Sequence, residues 1–332
     1  MENSSPRNAR TVVVGGGTMG ADVAVVLARR GAQVTVVDPH AARRDHLLPH
    51  IAQELAAAGQ ATHAGPVQVC ASLQDVDWSG VVLVVECITE QLAAKQKLFA
   101  ELETVAPPNA VLASNSSGFP ISAIAQGLGT AQRMLGLHFF MPAHLVPLVE
   151  VVLGERSDPA LGTWLHAFMR GCGSVPVLVK KDKPGFLANR MQHALSREAF
   201  ALIDEGIASP EDVDAAVRFG FGFRFLAAGP VLQRDHAGIE VHTAAAATMY
   251  PTLSNTDIPA QALRDKVAQG QLGMKTGKGF FDWPEDRKRA ERARYDTLLR
   301  QGLALLASEL PTIEPPTATS PTDTPSTTGA RA

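Results

Sequence analysis

A histidine and a glutamate twelve residues apart are the first side chains in this sequence that could do chemistry together. His138 ends the apolar run Met134–His138, and Glu150 lies within the apolar segment Leu148–Val151. A carboxylate on a buried strand needs a donor beside it, and an imidazole paired with it has a fixed tautomer. Such a pair suits removal of a hydroxyl proton while hydride leaves the same carbon for a nicotinamide. A histidine buried for packing alone is the competing interpretation.

Two polar positions could add hydrogen-bond donors to that pair. Ser117 ends the run Ser114–Ser117, which follows an apolar strand at the edge where open α/β sheets bind ligands. Asn189 comes early in the first helix of the second half, and a helix at a domain junction usually faces the cleft. The alternatives are a helix cap for the serines and a solvent-facing amide for Asn189.

The segment Gly15–Gly20 has the spacing of a dinucleotide-binding turn between a strand and a helix. The first glycine permits the tight turn, the second lets the backbone approach a pyrophosphate, and the third lets helix and strand pack closely. The cofactor contacts predicted in this turn are Gly15, Gly17, Thr18, Met19 and Gly20.

An acidic residue follows the turn at the distance that a dinucleotide site requires. Asp38 lies 18 residues after the third glycine, at the end of the run Val34–Val37. A carboxylate there can accept hydrogen bonds from ribose hydroxyls and would repel a 2′-phosphate. The sequence therefore predicts NAD rather than NADP, although the nearby Arg43 and Arg44 count against this choice.

These side chains must be positioned by alternating short apolar runs and amphipathic helices. This pattern is typical of a Rossmann-type, doubly wound and mainly parallel α/β sheet, and we assign it to residues 10–182. The predicted strands are Thr11–Val14, Val34–Val37, Val67–Cys70, Val81–Cys87, Val111–Ala113, Met134–His138, Val149–Leu153 and Val175–Val179.

Beyond residue 182 the strand signal ends, and the sequence predicts an all-helical substrate and dimerisation domain over residues 183–310. The predicted helices are Lys183–Gly206 with Pro184 in the first turn, Ser209–Gly220 capped by Ser209, Val231–Thr248, Ala260–Gln269 and Glu285–Glu309. Residues 1–9 are expected to be flexible. Residues 311–332 are expected to be disordered, because 14 of the 22 are proline, serine or threonine.

Composition excludes several classes of function. The 332 residues are 45% hydrophobic with a formal net charge of −3, so a nucleic-acid partner is not expected. No run of 18 apolar residues is present, so no membrane span is expected. The three cysteines are far apart, which leaves no disulfide framework or CxxC metal site and favours a cytoplasmic protein.

Taken together, these residues resemble the 3-hydroxyacyl-CoA dehydrogenase family over about residues 10–283. The matching motifs are GxGxMG at Gly15–Gly20, Glu90 with Lys95, the SNSS run at Ser114–Ser117, LHFF at Leu137–Phe140, PLVEV at Pro147–Val151, KDxPGFxxNR at Lys181–Arg190 and KTGKGFFDW at Lys275–Trp283. The resemblance implies His138 as catalytic base, Glu150 as its orienting partner, and Ser117 and Asn189 as donors to the substrate oxygen. It also implies that Asp38, Glu90, Lys95 and Asn115 contact NAD, and that the helical domain forms a homodimer.

The sequence departs from the family at positions that bear on the substrate. Met141 replaces the asparagine of the usual HFFNP, and Gly118 replaces the second serine of a pair. Residues 45–94 contain six carboxylates and no lysine or arginine, although this region supplies basic contacts to CoA in acyl-CoA members. The segment Gly222–Pro230 is more similar to the carnitine and gulonate dehydrogenase branches, and its Arg224 could bind a substrate carboxylate or lie on the surface.

Three hypotheses follow. The first is NAD-dependent oxidation of a 3-hydroxy group in an acyl-CoA substrate, with His138 as general base. The second is oxidation of a free small or aromatic hydroxy acid or aldehyde, which the same base could serve. The third is an NAD-binding protein without catalytic activity, which the loss of the asparagine at Met141 makes conceivable.

Overall fold

The computed structural model describes residues 4–311 and contains one eight-stranded sheet. The strands are β1 (Arg10–Val14), β2 (Gln33–Val37), β3 (Val67–Cys70), β4 (Val81–Glu86), β5 (Val111–Ser114), β6 (Met134–Phe139), β7 (Leu148–Leu153) and β8 (Val175–Val179). Each contains a predicted apolar run or most of it. The predicted tail over 311–332 lies outside the described residues except for Pro311.

The strand order is β3-β2-β1-β4-β5-β6-β7-β8. All neighbouring strands are parallel except β6 and β7, which are antiparallel. Residues 140–147 join these two strands, and so short a connection cannot make the crossover that a parallel pair needs. The predicted doubly wound, mainly parallel sheet is confirmed, and its one antiparallel pair contains both His138 and Glu150.

Helices cover both faces of the sheet, with a hydrophobic core on each. One face packs against α1 (Thr18–Ala28), α2 (Ala41–Ala57) and α5 (Pro159–Gly171). The other face packs against α3 (Leu92–Val105) and the single turn α4 (Ile121–Ile124). Between these layers, strand residues such as Val13 and Val84 are fully buried.

Helices form the second domain, as predicted. They are α6 (Ala188–Asp204), α7 (Pro210–Ala216), α8 (Leu232–Ala237), α9 (Ile239–Met249), α10 (Gln261–Ala268) and α11 (Glu285–Leu305). The Ser209 cap is present, since its side chain accepts a hydrogen bond from the amide of Asp212. Among the described residues after 182, β structure is limited to isolated bridges around Lys278.

Several helices in this domain differ from the prediction. α7 ends at Ala216, where a π-helical segment follows, and α11 ends at Leu305 rather than Glu309. The first helix begins at Ala188 and not at Lys183, because Gly185 and Phe186 have positive φ angles of 76° and 51°. Pro184 therefore lies in a loop and not in the first helical turn. The predicted helix Val231–Thr248 is two helices, because Gly238 has a φ of 93° that a helix cannot contain.

The described part of the amino-terminal segment, residues 4–9, packs against the sheet domain. Pro6 is buried, and the amide of Asn8 donates to the carbonyl of Gly31. The flexibility expected for residues 1–9 is therefore not seen in residues 4–9. Among residues 4–311, no helix combines the length and apolar character needed to cross a membrane.

Candidate active site

The imidazole of His138 on β6 lies directly opposite the carboxylate of Glu150 on β7. The two residues are paired in the antiparallel register, and His138 Nδ1 is 2.7 Å from Glu150 Oε2. Their side chains are 3% and 0% exposed. Because an ionised carboxylate can only accept, Nδ1 carries a proton, and in the neutral imidazole Nε2 keeps a lone pair. The arrangement thus fixes the tautomer of the neutral imidazole.

The second oxygen of Glu150 binds the start of the helical domain. Glu150 Oε1 accepts from the amides of Leu187, at 3.0 Å, and Ala188, at 2.8 Å. Burial alone would raise the pKa of Glu150, but the hydrogen bonds from His138 and these amides outweigh it and hold the pKa below its usual range. Both carboxylate oxygens are therefore engaged, and the residue stays ionised beside the imidazole. Sequence reasoning missed the two amides, because main-chain donors leave no signal in residue types.

Two aromatic rings pack against the imidazole. The ring centroids of Phe140 and Phe186 lie 4.5 Å and 5.6 Å from that of His138. Phe186 is buried, and its positive φ is part of the loop that delays the start of α6. This loop therefore supplies both a ring that packs on the imidazole and the amides that bind its carboxylate partner.

A short turn after β5 exposes Ser117. Glu90 Oε1 accepts from Ser116 Oγ at 2.6 Å, from the Ser117 amide at 3.1 Å and from the Gly118 amide at 3.0 Å. Burial raises the pKa of Glu90, but these bonds and the charge of Lys95 lower it more. Asn189 Nδ2 lies 3.5 Å from the carbonyl oxygen of Ser117, so the two predicted donors to substrate are neighbours across the domain junction.

Beneath this turn lies a buried charge network. Lys95, 1% exposed, places Nζ 2.7 Å from Glu86 Oε1 and 3.2 Å from Glu90 Oε2. Glu86, 0% exposed, also accepts from Ser114 Oγ and the Ile88 amide. Glu86 was missed in the sequence, although a carboxylate ending the apolar run of β4 was a usable signal. The NAD contacts expected of Glu90 and Lys95 stay predictions, and in this geometry both residues support the serine turn.

Asn115 connects the same turn to β6. Its Oδ1 accepts from the amide of Phe139, next to His138, at 2.9 Å. Its amide nitrogen remains the group that could donate to a ligand. The expected NAD contact of Asn115 is therefore compatible with its structural role.

The glycine-rich turn has the geometry that a dinucleotide requires. Gly15 has a φ of 103°, and a Cβ there would lie 2.7 Å from the Cys87 carbonyl oxygen. A Cβ on Gly20 would lie 1.7 Å from the carbonyl oxygen of Gly15. A Cβ on Gly17 would meet nothing within 4 Å, so this position is open for the close approach of a pyrophosphate.

A cavity of about 1190 Å³ lies beside this turn. It is lined by Gly15, Gly16, Gly17, Thr18, Met19, Asp38, Arg43, His46 and His50, among others. Its position at the amino terminus of α1 and its open glycine fit a bound NAD. Residues of the turn would hold the pyrophosphate there.

Asp38 is nearly fully covered by protein donors. It accepts from the amides of Gly16 and His40, each at 2.8 Å, and Arg43 Nη1 lies 3.4 Å away. Burial raises the pKa of Asp38, but these hydrogen bonds hold it below the usual range. The ribose contact stays a prediction, because His40 and Arg43 would have to make room for the sugar.

Two other residues singled out in the sequence are not drawn into this group. Arg224 lies in an exposed turn, and among the described residues no hydrogen bond joins its guanidinium to His138, Ser117 or Asn189. Met141 follows the catalytic strand and is 65% exposed.

Family models match both domains. Residues 10–183 match the NAD binding domain of 3-hydroxyacyl-CoA dehydrogenase, and residues 185–283 match its C-terminal domain. The chain belongs to the 3-hydroxyacyl-CoA dehydrogenase family. As a member of that family it is an NAD-dependent dehydrogenase, so the hypothesis of a non-catalytic NAD-binding protein is not supported.

Relatives in this family differ in their substrates. A 5-formyl-3-hydroxy-2-methylpyridine 4-carboxylate 5-dehydrogenase from Mesorhizobium japonicum is 34% identical over 290 residues, which are 85% of this chain and 94% of that one. The solved structure of an enzyme of that activity, described as an NAD+ dependent dismutase, is 30% identical with a TM-score of 0.84, covering 89% and 98% of the two chains. The (S)-3-hydroxybutyryl-CoA dehydrogenase from Ralstonia eutropha is 29% identical with a TM-score of 0.67, covering 83% and 99%.

Proposed function

We propose that this NAD-dependent dehydrogenase oxidises an alcohol or aldehyde group on a free aromatic carboxylic acid, with His138 as general base. The observation that carries the proposal is the composition of residues 45–94, which hold six carboxylates and neither lysine nor arginine. Phosphates of a CoA tail are bound through charge-assisted contacts to basic side chains. A region without basic side chains there disfavours a CoA thioester.

The structural comparisons support the same choice. At nearly equal sequence identity, the pyridine-carboxylate enzyme agrees with this chain at a TM-score of 0.84 and the acyl-CoA enzyme at 0.67. Because the two sequence identities are nearly equal, the unequal TM-scores indicate that the two enzymes differ in the arrangement of their backbones. We infer that the arrangement shared with the first enzyme serves a similar, compact substrate.

The geometry of the pair supports His138 as the base. With Nδ1–H donating to Glu150, Nε2 can accept the proton of a substrate hydroxyl. Glu150 stabilises the imidazolium that forms, and Ser117 and Asn189 donate hydrogen bonds to the substrate oxygen. NAD, when bound, accepts the hydride that leaves the substrate carbon. For an aldehyde, His138 takes a proton from the water that adds to the carbonyl, and the same hydride transfer follows.

Arg224 is the residue that we propose to bind the substrate carboxylate. Its guanidinium can donate two parallel hydrogen bonds to a carboxylate. Its exposed turn lies in the segment that is similar to dehydrogenases of free hydroxy acids. Closure of this turn over the cleft would bring the guanidinium to the substrate.

We further propose that the active enzyme is a homodimer formed through the helical domain. Phe219, Phe223, Val231 and Tyr250 are among the large apolar side chains of that domain that are more than half exposed. Large apolar side chains left exposed in such number within one domain are typical of a surface that a partner covers. A second copy of the chain would cover it.

A purified-enzyme screen that follows NADH absorbance tests the substrate class. The substrates are hydroxymethyl- and formyl-pyridine carboxylates, carnitine, gulonate and 3-hydroxybutyryl-CoA. We expect turnover of the aromatic acids, with a KM that rises at least about tenfold in Arg224→Ala through loss of a bidentate ion pair. Arg234→Ala, another arginine of the helical domain, is the control.

A different outcome would favour the acyl-CoA hypothesis, with which the matches to the two 3-hydroxyacyl-CoA dehydrogenase domains are also consistent. Turnover of 3-hydroxybutyryl-CoA alone, with no effect of Arg224→Ala, would overturn the proposed substrate class. It would leave His138 as base in place. Wild-type turnover in His138→Asn would instead overturn the base.

A further inference from the structure

A buried carboxylate on α1, the helix that follows the glycine-rich turn, takes no part in the proposed proton and hydride transfers. Asp22 on α1 is 2% exposed and lies among apolar neighbours such as Val23 and Val26. Its Oδ2 accepts from the amide of Ala143 at 3.0 Å. Its Oδ1 is 3.1 Å from His50 Nε2 and 3.0 Å from His144 Nδ1.

These contacts continue to the last helix of the helical domain. His144 Nε2 lies 3.2 Å from Glu54 Oε2, and the same oxygen is 2.7 Å from Arg300 Nη2. A chain of charged and polar groups thus joins α1, α2, the loop 140–147 and α11. Arg29, the residue that follows α1, donates to the carbonyl of His144 in the same loop at 3.5 Å.

The charge on Asp22 is maintained by its partners. Burial raises the pKa of Asp22, but the imidazoles of His144 and His50 beside the carboxylate outweigh burial and hold the pKa below its usual value of 3.8. Burying a carboxylate costs free energy that an alanine or leucine at this helical position would avoid. The function of Asp22 therefore lies in what it binds.

What Asp22 binds is the loop that leads out of the catalytic strand. Ala143 is five residues after His138, and Phe140, between them, packs its ring 4.5 Å from the imidazole. Glu150 holds the imidazole at Nδ1, while Phe140 limits rotation of its plane. Met141 in the same loop faces solvent. The hydrogen bond that the Ala143 amide donates to Asp22 anchors the loop on the side that faces the protein.

We propose that Asp22 is a positioning residue for the dehydrogenase reaction: by holding the amide of Ala143 it fixes the loop 140–147 and, through Phe140, the plane of the His138 imidazole. This inference rests on the proposed role of His138 as base. Nothing in the family resemblance or in the comparisons assigns a role to Asp22. A displacement of the base by about 1 Å can cost about a hundredfold in rate, so a modest shift of the loop would be measurable.

The test compares Asp22→Ala with Asp22→Asn, whose amide oxygen can still accept from Ala143. We expect kcat to fall about ten- to a hundredfold in Asp22→Ala and to recover to within about threefold of wild type in Asp22→Asn. NADH affinity, measured by fluorescence titration, should change less than about threefold in either variant, because the glycine turn is untouched. Asp22→Ser replaces Asp22→Ala if the latter does not fold, and His63→Asn is the matched exposed control.

A double variant separates positioning from a merely structural role. If Asp22 acts through His138, then Asp22→Ala adds no further loss of kcat to His138→Asn. Additive losses, or an Asp22→Ala enzyme with wild-type kcat per bound NADH and only a lower melting temperature, would overturn the inference. If His138→Asn itself turns over like wild type, the proposed base fails, whatever Asp22→Ala does.

Discussion

The two domains of this molecule differ in how completely they bury their apolar side chains. In the sheet domain, α1 alone buries nine of its eleven residues. In α6 to α11, no described residue is buried. Beyond residue 182, Phe186 and Ala228 are the buried apolar side chains among described residues, and Phe186 packs on the imidazole of His138.

The sheet domain buries its apolar side chains within the single chain, whereas the helical domain leaves many exposed, as we expect of a domain that a partner covers. A domain gains most of its stability from apolar surface removed from water. Of the large apolar side chains that are exposed, Leu48, Met141 and Leu178 lie in the sheet domain and all others lie beyond residue 182. The proposed catalytic pair belongs to the sheet domain, whereas Asn189 and Arg224 belong to the one that we expect a partner to cover.

The largest effect is expected from charges placed on the uncovered surface. Phe219→Asp combined with Val231→Asp should convert a dimer of twice 35.1 kDa into a monomer, because two buried carboxylates per subunit would lose their hydration at the interface. Light scattering coupled to gel filtration measures the mass. Leu48→Asp, an exposed position in the sheet domain, should leave the dimer intact. A wild-type monomer, or an unchanged mass in the double variant, would contradict the proposal that a second copy covers the helical domain.

Much of the sheet domain could be predicted because its signals are local. Val34–Val37 is a run of apolar and β-branched residues, and it is found as β2 with one residue added. The roles assigned to Gly15 and Gly20 depend on a backbone turn within six residues, and both are seen. Signals of this kind need no knowledge of distant partners.

The features that were missed depend on distant contacts. The delayed start of α6 is stabilised by amides that donate to Glu150, 37 and 38 residues earlier in the chain. Asp22 meets its amide partner 121 residues away. The break at Gly238 is a different case, because a lone glycine is tolerated within helices and only its positive φ reveals the interruption.

The next largest effect is expected at the base. His138→Asn should lower kcat by about a thousand- to ten-thousandfold, since it removes the proton acceptor from the reaction. NADH binding should persist, because the cofactor turn lies on other strands. Stopped-flow turnover and fluorescence titration measure the two quantities. A fall in kcat of less than about tenfold would mean that another group takes the proton.

Removing a buried cation from the sheet domain should cost more stability than removing an exposed charge from the helical domain. Lys95→Met leaves Glu86 uncompensated, and we expect it to lower the free energy of unfolding by about 3–5 kcal/mol. Adding Glu86→Gln should restore part of that loss. Glu291→Gln breaks an exposed pair with Arg294 on α11 and should cost less than about 1 kcal/mol. Urea unfolding measures all four proteins, and equal losses at the two sites would contradict the contrast.

The smallest effect is a pH dependence of stability at the contact between α1 and α2. The hydrogen bond to Asp22 raises the pKa of His50 above its ordinary 6.5. A group whose pKa is raised in the folded state contributes its full stabilisation at pH values below its unfolded-state pKa. That stabilisation is lost as the pH rises through the folded-state pKa. The melting temperature of His50→Gln should therefore lie about 1–2 °C further below wild type at about pH 5.5 than at about pH 9, a small shift because His50 is partly exposed. A deficit that is larger at the alkaline end would mean that His50 is neutral in the folded protein and acts on Asp22 as a simple hydrogen-bond donor.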